Sequence, residues 1–304
     1  VLLYKKSESM DNEVAMSAVM QTMDEYSRIT VEPISGSLGA EITGVDITNL
    51  DQETYVEIHR AFLAHNVIFF RDQELTPETQ MAFGRLFGPL NRHSYVKGLD
   101  DYPDVFRIVK EPTDAHHFGN AWHTDLAYEE RPALGTILYG IDVPDTGGDT
   151  MFANLYAAYQ GLSNGMKRMV DDLKVVFTNA NTYGKDAQRF KAGIAKDMTV
   201  EQAPEENEVI HPLVRTHPET RRKALYLSTT HFSRIDGMTK QESKVILNQL
   251  AKHSIQPDYT CRFKWRNNSV AMWDNRCTMH YAVNDFPEER RIMQRVTLQG
   301  DKPF

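Results

Sequence analysis

The sequence has 304 residues, of which 41% are hydrophobic and 25% are charged. This balance is ordinary for a globular protein and excludes a disordered tail or a fibrous chain. A total of 34 basic and 42 acidic residues gives a net charge of −8, which disfavours nucleic acid and anionic lipid as partners. No stretch approaches the roughly 20 apolar residues of a membrane-spanning helix. We therefore expect neither nucleic acid nor a membrane as a partner.

The two cysteines, Cys261 and Cys277, form no disulfide framework and no CxxC pair. The first residues lack the basic and apolar regions of a signal peptide. Both features predict a location in the reducing cytoplasm.

The first 27 residues are rich in methionine, serine and acidic side chains, which predicts an N-terminal extension, residues 1–27. From Arg28 onward no repeat or low-complexity tract divides the chain, so residues 28–304 are predicted to form a single domain. Residues 182–208 show no clean period and are expected to form a loop or a lid.

The first elements of this domain carry clear boundary signals. A strand is expected near Ile29, and a helix is expected to begin at Asp51. The apolar run Val67–Phe70 is typical of a central buried strand. Thr76 then caps a second helix, with Pro77 at its first position and Gly88 closing it.

The second half of the chain predicts two short helices within residues 154–173, with Met166 and Met169 among the inward-facing positions. Thr239 and Glu242 form a capping box that begins another helix. After it the apolar period becomes two, which predicts strands at residues 259–265, 269–273 and 290–299. The pattern as a whole predicts a mainly β protein with peripheral helices.

The sharpest chemical feature is the sequence Trp122-His123-Thr124-Asp125. On a strand, residues two apart point to the same face, so His123 and Asp125 could present an imidazole and a carboxylate to one metal ion. A non-haem Fe(II) oxygenase uses two imidazoles and one carboxylate and leaves positions open for its cosubstrates. Among the eleven histidines, His280 is the best candidate for the third ligand, because it follows the polar stretch Trp273-Asp274-Asn275-Arg276.

Other histidine pairs have simpler interpretations, and one HxD spacing is itself expected by chance in a chain with eleven histidines. Pro218 lies between His217 and Glu219 and favours a turn, so this pair is interpreted as loop structure. The neighbours His116 and His117 would point apart on a strand, which favours a solvated loop.

The last predicted strand places Arg291 and Arg295 on one face together with Met293. The two arginines would lie about 13 Å apart along the strand. They are either solvated on a surface strand or they bind two anionic molecules, since a guanidinium pairs with a carboxylate or sulfonate through two hydrogen bonds.

These motifs together resemble the taurine dioxygenase family of Fe(II)- and 2-oxoglutarate-dependent oxygenases. The resemblance rests on residues 122–125, on Gly147-Gly148-Asp149-Thr150, on residues 273–276 with His280, and on residues 290–304. It covers nearly all of the chain from Arg28. It implies a double-stranded β-helix, the cupin-like jelly roll, with the metal at one open end.

The resemblance also implies a role for each matched residue. His123, Asp125 and His280 would bind Fe(II), while Arg291 and Thr150 would hold 2-oxoglutarate, with O2 as the second cosubstrate. Arg295 and His93 match positions that contact the substrate anion in taurine enzymes. The reaction would hydroxylate a C–H bond of a small anionic substrate of the taurine or alkylsulfonate kind, giving succinate, CO2 and a product that can collapse to an aldehyde and sulfite. A homodimer or homotetramer is expected, as in relatives.

Several substrate-pocket positions differ from taurine enzymes. Tyr95 and Asn120 are each displaced by one residue from the matched polar positions, where Val96 and Gly119 stand, and a usually aromatic wall position reads His231. These differences predict another anion as the substrate. The alternatives are another alkylsulfonate, a sulfate ester, an aryloxyalkanoate carboxylate or, more remotely, a non-catalytic role in anion binding. Cys277 is interpreted as a small buried thiol and His231 as a hydrogen-bonded wall residue.

Overall fold

The structure is a computed structural model that describes residues 26–114, 119–184, 187 and 206–304. The extension predicted for residues 1–27 therefore lies almost entirely outside the described residues, as do His116 and His117. Most of the loop predicted for residues 182–208 also lies outside them.

The described residues form runs of one to four strands, and the helices lie between these runs. The strands are β1 (Thr30–Pro33), β2 (Ala40–Thr43), β3 (Val67–Phe70), β4 (Leu90–Asn91), β5 (Val105–Lys110), β6 (Ala133–Asp142), β7 (Thr150–Asn154), β8 (Lys174–Thr178), β9 (Glu208–Pro212), β10 (Val214–Thr216), β11 (Lys223–Leu225), β12 (Phe232–Ile235), β13 (Thr260–Phe263), β14 (Val270–Asp274), β15 (Thr278–Ala282) and β16 (Arg291–Gln299). The helices are α1 (Gln52–His65), α2 (Pro77–Phe87), α3 (Leu155–Gln160), α4 (Asn164–Val170), α5 (Ala180–Tyr183) and α6 (Lys240–Ser254), followed by the short 3₁₀ turn Pro257–Tyr259.

The helices begin where their capping residues predict. The side chains of Asp51, Thr76 and Thr239 each accept a hydrogen bond from a backbone N–H in the first turn, and Glu242 completes its capping box. Two expectations were wrong in detail. Met169 is 44% exposed, because the two-turn helix α4 buries Val170 alone. The ends of the range predicted as a loop, 182–208, belong to regular elements, since α5 includes Thr182 and Tyr183 and β9 begins at Glu208.

The larger sheet has the order β1-β2-β3-β14-β6-β16-β4, with β5 also paired to β16. A smaller sheet has the order β13-β7-β15. Both faces of the central strands are buried, and alternate residues enter two different cores. In β3, Val67 and Phe69 face one core while Ile68 and Phe70 face the other. This explains why the sequence of β3 is continuously apolar.

The first core lies between the two sheets. Phe69 of the larger sheet stacks on Phe263 of the smaller sheet with ring centroids 4.0 Å apart, and Phe152 packs against Trp273. The second core lies on the opposite face of the larger sheet, where Ile58 and the other buried residues of α1 and α2 cover it. A third core joins the smaller sheet to α3, α6 and strands β8–β12. Two facing and mainly antiparallel sheets covered by helices form the predicted jelly roll.

The last strand, β16, settles the question of the two arginines. Met293 packs in the core between the sheets, so Arg291 and Arg295, two residues away on either side, point into the same interior. Their exposed fractions are 3% and 4%, which excludes solvated surface positions.

No helix in the described parts of the chain combines the length and the apolar character that crossing a membrane demands.

Candidate active site

The two candidate histidine ligands are held side by side by the backbone. His280 lies on β15, and the segment carrying His123 pairs with it through a single antiparallel bridge. The two residues exchange backbone hydrogen bonds of 3.0 and 2.9 Å. Their imidazole rings therefore lie on one side of the bridge, with centroids 4.0 Å apart. The strand expected around residues 122–125 is reduced to this one bridge, because the chain turns immediately after it.

Asp125 completes a compact group of three buried side chains. Its Oδ1 atom lies 3.7 Å from the Nε2 atoms of both His123 and His280. The potential ligand atoms all lie within 4.8 Å of one another. A separation of 3.7 Å is too long for a hydrogen bond but suits groups that converge on a shared ion.

Protonation favours a metal as well. The Nδ1 atom of His123 lies 2.7 Å from the carbonyl oxygen of Ala121, and since a carbonyl only accepts, this nitrogen carries a proton and Nε2 is the ring nitrogen that would bind a metal. Burial lowers the pKa of His280 well below its ordinary value, and the neighbouring His123 lowers it further. Burial alone would raise the pKa of Asp125, but the charge of Arg295 and the two histidines hold it below the ordinary value. Two neutral imidazoles and an ionised carboxylate fit Fe(II).

A second polar position lies beside this group, at Arg291. Its guanidinium is 3% exposed, and its Nε and Nη2 atoms have no hydrogen-bond partner among the described residues. Burial lowers the pKa of Arg291 to about 10, so the group remains charged at neutral pH. Arg291, Thr150, Arg295 and the two histidines all line one cavity of about 390 Å³, including space open to solvent. A buried cation with unused donors fits a carboxylate ligand.

The turn before β7 brings Thr150 to this cavity. Gly148 adopts a positive φ of 67°, and a Cβ atom there would lie 3.3 Å from Cδ of Arg291 and 3.2 Å from the ring of Phe286. Glycine is therefore needed both for the backbone conformation and for close packing behind Arg291. The hydroxyl oxygen of Thr150 accepts a hydrogen bond of 2.9 Å from Trp265 Nε1, which leaves its own proton for a ligand or another acceptor.

A second cavity of about 530 Å³, including space open to solvent, lies on the other side of the candidate metal ligands. The predicted substrate residues His93, Asn120 and Arg295 line it. The lining also includes Tyr128, Tyr183 and His231.

Tyr95, the fourth predicted substrate residue, is not among the described residues that line this cavity. Its hydroxyl oxygen accepts a hydrogen bond of 2.9 Å from Asn179, and its ring packs on Tyr128 and Tyr183. Tyr95 therefore supports the aromatic wall from behind.

Arg295 has a further contact that sequence reasoning missed. Its Nη2 atom lies 2.7 Å from Oδ1 of Asp125, and its side chain borders both cavities. The arginine assigned to the substrate anion therefore also neutralises a candidate metal ligand.

Two other residues that hold Asp125 were missed. The hydroxyl of Thr136 donates to Oδ2 of Asp125 at 2.8 Å, and Oδ1 of Asn275 accepts a hydrogen bond of 3.2 Å from the backbone N–H of Asp125. Asn275 lies within the polar stretch that the sequence did single out. Thr136 carried no local signal, since a threonine in a buried strand is also an ordinary β-former.

The rival features have structural roles. His217 follows β10 in a turn, as expected, but its ring is fully buried and its Nε2 atom lies 3.0 Å from Oδ2 of Asp274. Cys277 is 1% exposed, and burial raises the pKa of its thiol well above the ordinary value. Both observations agree with residues that maintain the fold.

Comparison with known proteins agrees with this geometry. The family model described as "Taurine catabolism dioxygenase TauD, TfdA family" matches residues 30–297. An alkylsulfatase from Acinetobacter baylyi is 34% identical over 90% of this chain and 86% of its own. An alpha-ketoglutarate-dependent sulfate ester dioxygenase from Pseudomonas putida is 33% identical over 94% of this chain and 95% of its own. The crystal structure of a taurine dioxygenase from Burkholderia xenovorans superposes with a TM-score of 0.77 at 36% identity, covering 91% of each chain.

The chain belongs to the taurine dioxygenase family. It is a dioxygenase that uses Fe(II), 2-oxoglutarate and O2.

Proposed function

We propose that His123, Asp125 and His280 bind the Fe(II) ion of this enzyme. Support comes from the convergence of their ligand atoms within 4.8 Å, from the hydrogen bond at Nδ1 of His123 and from the lowered pKa of His280. Three protein ligands leave the remaining positions of an octahedral ion for cosubstrates. Bound Fe(II), with 2-oxoglutarate and O2, supplies the oxidation of a substrate C–H bond, with succinate and CO2 as co-products.

Arg291 and Thr150 then bind the distal carboxylate of 2-oxoglutarate. The unpartnered Nε and Nη2 atoms of Arg291 offer two donors to a carboxylate, and the Thr150 hydroxyl lines the same cavity. Because Arg291 is buried, this pairing takes place away from bulk water, where it is stronger. These residues orient the cosubstrate toward the candidate metal ligands that border the same cavity.

The substrate in this proposal is an organic sulfate ester or alkylsulfonate with an apolar body. The observation that carries it is the lining of the second cavity. Arg295 is the sole arginine or lysine among the described lining residues, and the walls include Tyr128, Tyr183 and Leu126. Arg295, with His93 and Asn120, binds the anionic end, while the rings pack on the body. Hydroxylation of the carbon that bears the anionic group gives a product that collapses to an aldehyde with sulfate or sulfite.

Taurine fits this cavity less well because it also carries an ammonium group. Asp125 is the sole carboxylate among the described lining residues, and it already pairs with Arg295. An ammonium placed there would leave water without a counter-charge, which is unfavourable.

The aromatic wall favours an aryloxyalkanoate as the second candidate. The rings of Tyr128 and Tyr183 lie edge to face at 5.7 Å, and the Tyr128 and His231 rings do so at 4.9 Å. An aryl group could join such a cluster in the same edge-to-face manner.

The test is a substrate panel assayed for succinate release, with one alkyl sulfate, one alkanesulfonate, taurine and phenoxyacetate. The proposal predicts the highest kcat/KM for the sulfate or the sulfonate. Equal turnover of taurine would contradict the assignment of an apolar pocket, and a clear preference for phenoxyacetate would support the second candidate. A dimer or tetramer and a cytoplasmic location stay predictions.

Removing the proposed contact with the substrate anion should weaken substrate binding without weakening 2-oxoglutarate binding. Arg295→Ala is expected to raise KM for the best substrate by at least about tenfold, since a charge-assisted hydrogen bond contributes about 1.5–3 kcal/mol. The Kd of 2-oxoglutarate, measured by titration, should stay near the wild-type value. An equal loss of both affinities would contradict the assignment of Arg295 to the substrate anion.

A further inference from the structure

We propose that Thr136 is a positioning residue whose single hydroxyl presents one oxygen of Asp125 to the metal ion and, at the same time, holds the substrate arginine Arg295 in place. This inference rests on the proposed metal site and assigns a role to a residue that does not itself touch metal or substrate.

The hydrogen bonds around the Thr136 hydroxyl have fixed directions. Oδ2 of Asp125 lies 2.8 Å from Oγ1 of Thr136, and an ionised carboxylate can only accept, so the threonine proton points to Asp125. Nη2 of Arg295 and Nδ2 of Asn275 lie 3.3 and 3.2 Å from the same oxygen and can only donate. The hydroxyl thus donates once and accepts twice, which uses its full capacity.

Asn275 makes this arrangement rigid. Its Nδ2 atom donates to Thr136, so its Oδ1 atom must be the acceptor for the backbone N–H of Asp125, at 3.2 Å, and for Nε1 of Trp273, also at 3.2 Å. Both the backbone and the carboxylate of Asp125 are therefore fixed by groups that are fully or almost fully buried. Such networks are stabilising when every member is satisfied.

The network gives the two oxygens of Asp125 different roles. Oδ2 accepts from Thr136, while Oδ1, which also accepts from Nη2 of Arg295 at 2.7 Å, is the atom that lies 3.7 Å from each histidine Nε2. Asp125 is therefore presented as a ligand through one oxygen. Because Arg295 donates to the same hydroxyl oxygen, the metal ligand and the substrate arginine share one anchor.

The position of Thr136 does not require threonine for packing. It lies on β6 between its partners on neighbouring strands, Trp273 of β14 and Thr297 of β16. Valine has nearly the same shape and is equally suited to a buried strand. A hydroxyl in this interior is unfavourable unless it is hydrogen-bonded, so its value lies in the polar network.

The test compares Thr136→Val, which removes the hydroxyl, with Thr136→Ser, which keeps it. Anaerobic Fe(II) titration of each metal-free protein, without cosubstrates, gives the Kd. We expect Thr136→Val to weaken Fe(II) binding about 10- to 100-fold, the usual effect of removing a partner of a metal ligand, and Thr136→Ser to bind as tightly as the wild type. KM for the organic substrate should also rise in Thr136→Val while the Kd of 2-oxoglutarate stays unchanged.

Thr297→Val is the matched control. In the wild type, the hydroxyl oxygen of Thr297 accepts a hydrogen bond of 3.3 Å from Nε of Arg295, on the same face of the sheet as Thr136. This variant should raise KM without changing the Fe(II) affinity, so it separates the two roles assigned to Thr136.

Two results would overturn the role of Thr136 while the metal site stands. The first is an unchanged Fe(II) Kd in Thr136→Val. The second is an equal loss in Thr136→Val and Thr136→Ser, which would show that shape and not the hydroxyl matters. If the wild type binds Fe(II) and Asp125→Ala does not, the proposed metal site holds even when one of these two results is obtained. No Fe(II) binding by the wild type would overturn the metal site and the role of Thr136 together.

Discussion

Two buried clusters in this protein are built from the same residue types, histidine, aspartate and arginine. The candidate metal site, called the metal cluster below, consists of His123, Asp125, His280 and Arg295. The structural cluster consists of His217, Asp274 and Arg276, with the partly exposed Glu219 at its edge. The two clusters meet where β14 ends and the turn to β15 begins. Asp274 pairs with His217 of the structural cluster, and the adjacent Asn275 accepts a hydrogen bond from Asp125 of the metal cluster.

The difference between the clusters lies in a distance. His217 Nε2 and Asp274 Oδ2 are 3.0 Å apart, a hydrogen bond, and Arg276 adds a bond of 2.8 Å to Oδ1 and one of 2.7 Å to Oδ2. In the metal cluster the corresponding histidine-to-carboxylate distances are both 3.7 Å. The structural cluster is closed by its own hydrogen bonds, whereas the 3.7 Å distances of the metal cluster suit groups that converge on a shared ion. Residue type alone therefore does not distinguish a metal site from a fold-maintaining network.

Replacing one histidine by alanine in each cluster should give the largest difference between the two clusters. His280→Ala is expected to weaken Fe(II) binding by more than about 100-fold, beyond the usual effect of losing an outer partner. His217→Ala should leave the Fe(II) Kd unchanged and lower the free energy of unfolding. Anaerobic Fe(II) titration and urea denaturation of both variants test this. Fe(II) loss in His217→Ala would contradict the division.

Asp274→Asn should destabilise the fold strongly. It removes the charge that neutralises Arg276, which is 2% exposed, and breaking a buried ion pair costs about 3–5 kcal/mol. The free energy of unfolding, measured in urea, should fall by about this amount. A change below about 1 kcal/mol would show that the structural cluster is dispensable.

Acid should weaken the structural cluster in a defined window. Burial opposes ionisation of Asp274, but Arg276 and His217 hold its pKa below the ordinary value. The hydrogen bond from His59, together with Arg276, lowers the pKa of Glu219 to about 2 from 4.5. A lowered folded-state pKa adds stability that is complete above pH 4.5 and lost as the pH falls to about 2.

Urea unfolding from pH 6 to pH 2 therefore should show a loss that is smaller in Asp274→Asn, which cannot titrate at this position. The same pH dependence in the variant and the wild type would show that other carboxylates account for acid lability.

The smallest effect is expected at the edge of the structural cluster. Glu219 pairs with Arg276 at 2.7 Å, but 37% of its side chain is exposed. Glu219→Gln should therefore cost no more than about 1 kcal/mol of unfolding free energy at pH 7. A larger loss in urea denaturation would place Glu219 within the buried part of the cluster.

Local patterns predicted much of the fold. The apolar run of β3, the alternation along β16 and the capping residues of α1, α2 and α6 all specify structure over short distances. They could not show that His217 pairs with Asp274, since these residues are far apart in sequence. The loop predicted around His217 agrees with the turn in the structure, but this prediction did not include the burial of the His217 ring.

The candidate site was predicted in the same uneven way. The resemblance to a family named His123, Asp125, His280 and Arg291. The structure groups His123, Asp125 and His280, and it places Arg291 in one cavity with the two histidines. Thr136 could not be found from the sequence, because its role depends on contacts with β16 and the β14–β15 turn.

The most direct test of the metal cluster is an anaerobic titration of the full chain with Fe(II) and then 2-oxoglutarate, followed by visible absorption. The account predicts a weak charge-transfer band for the wild type and for His217→Ala, and no band for Asp125→Ala. A wild-type protein without the band, or a band that persists in Asp125→Ala, would contradict the assignment of His123, Asp125 and His280 as the iron ligands.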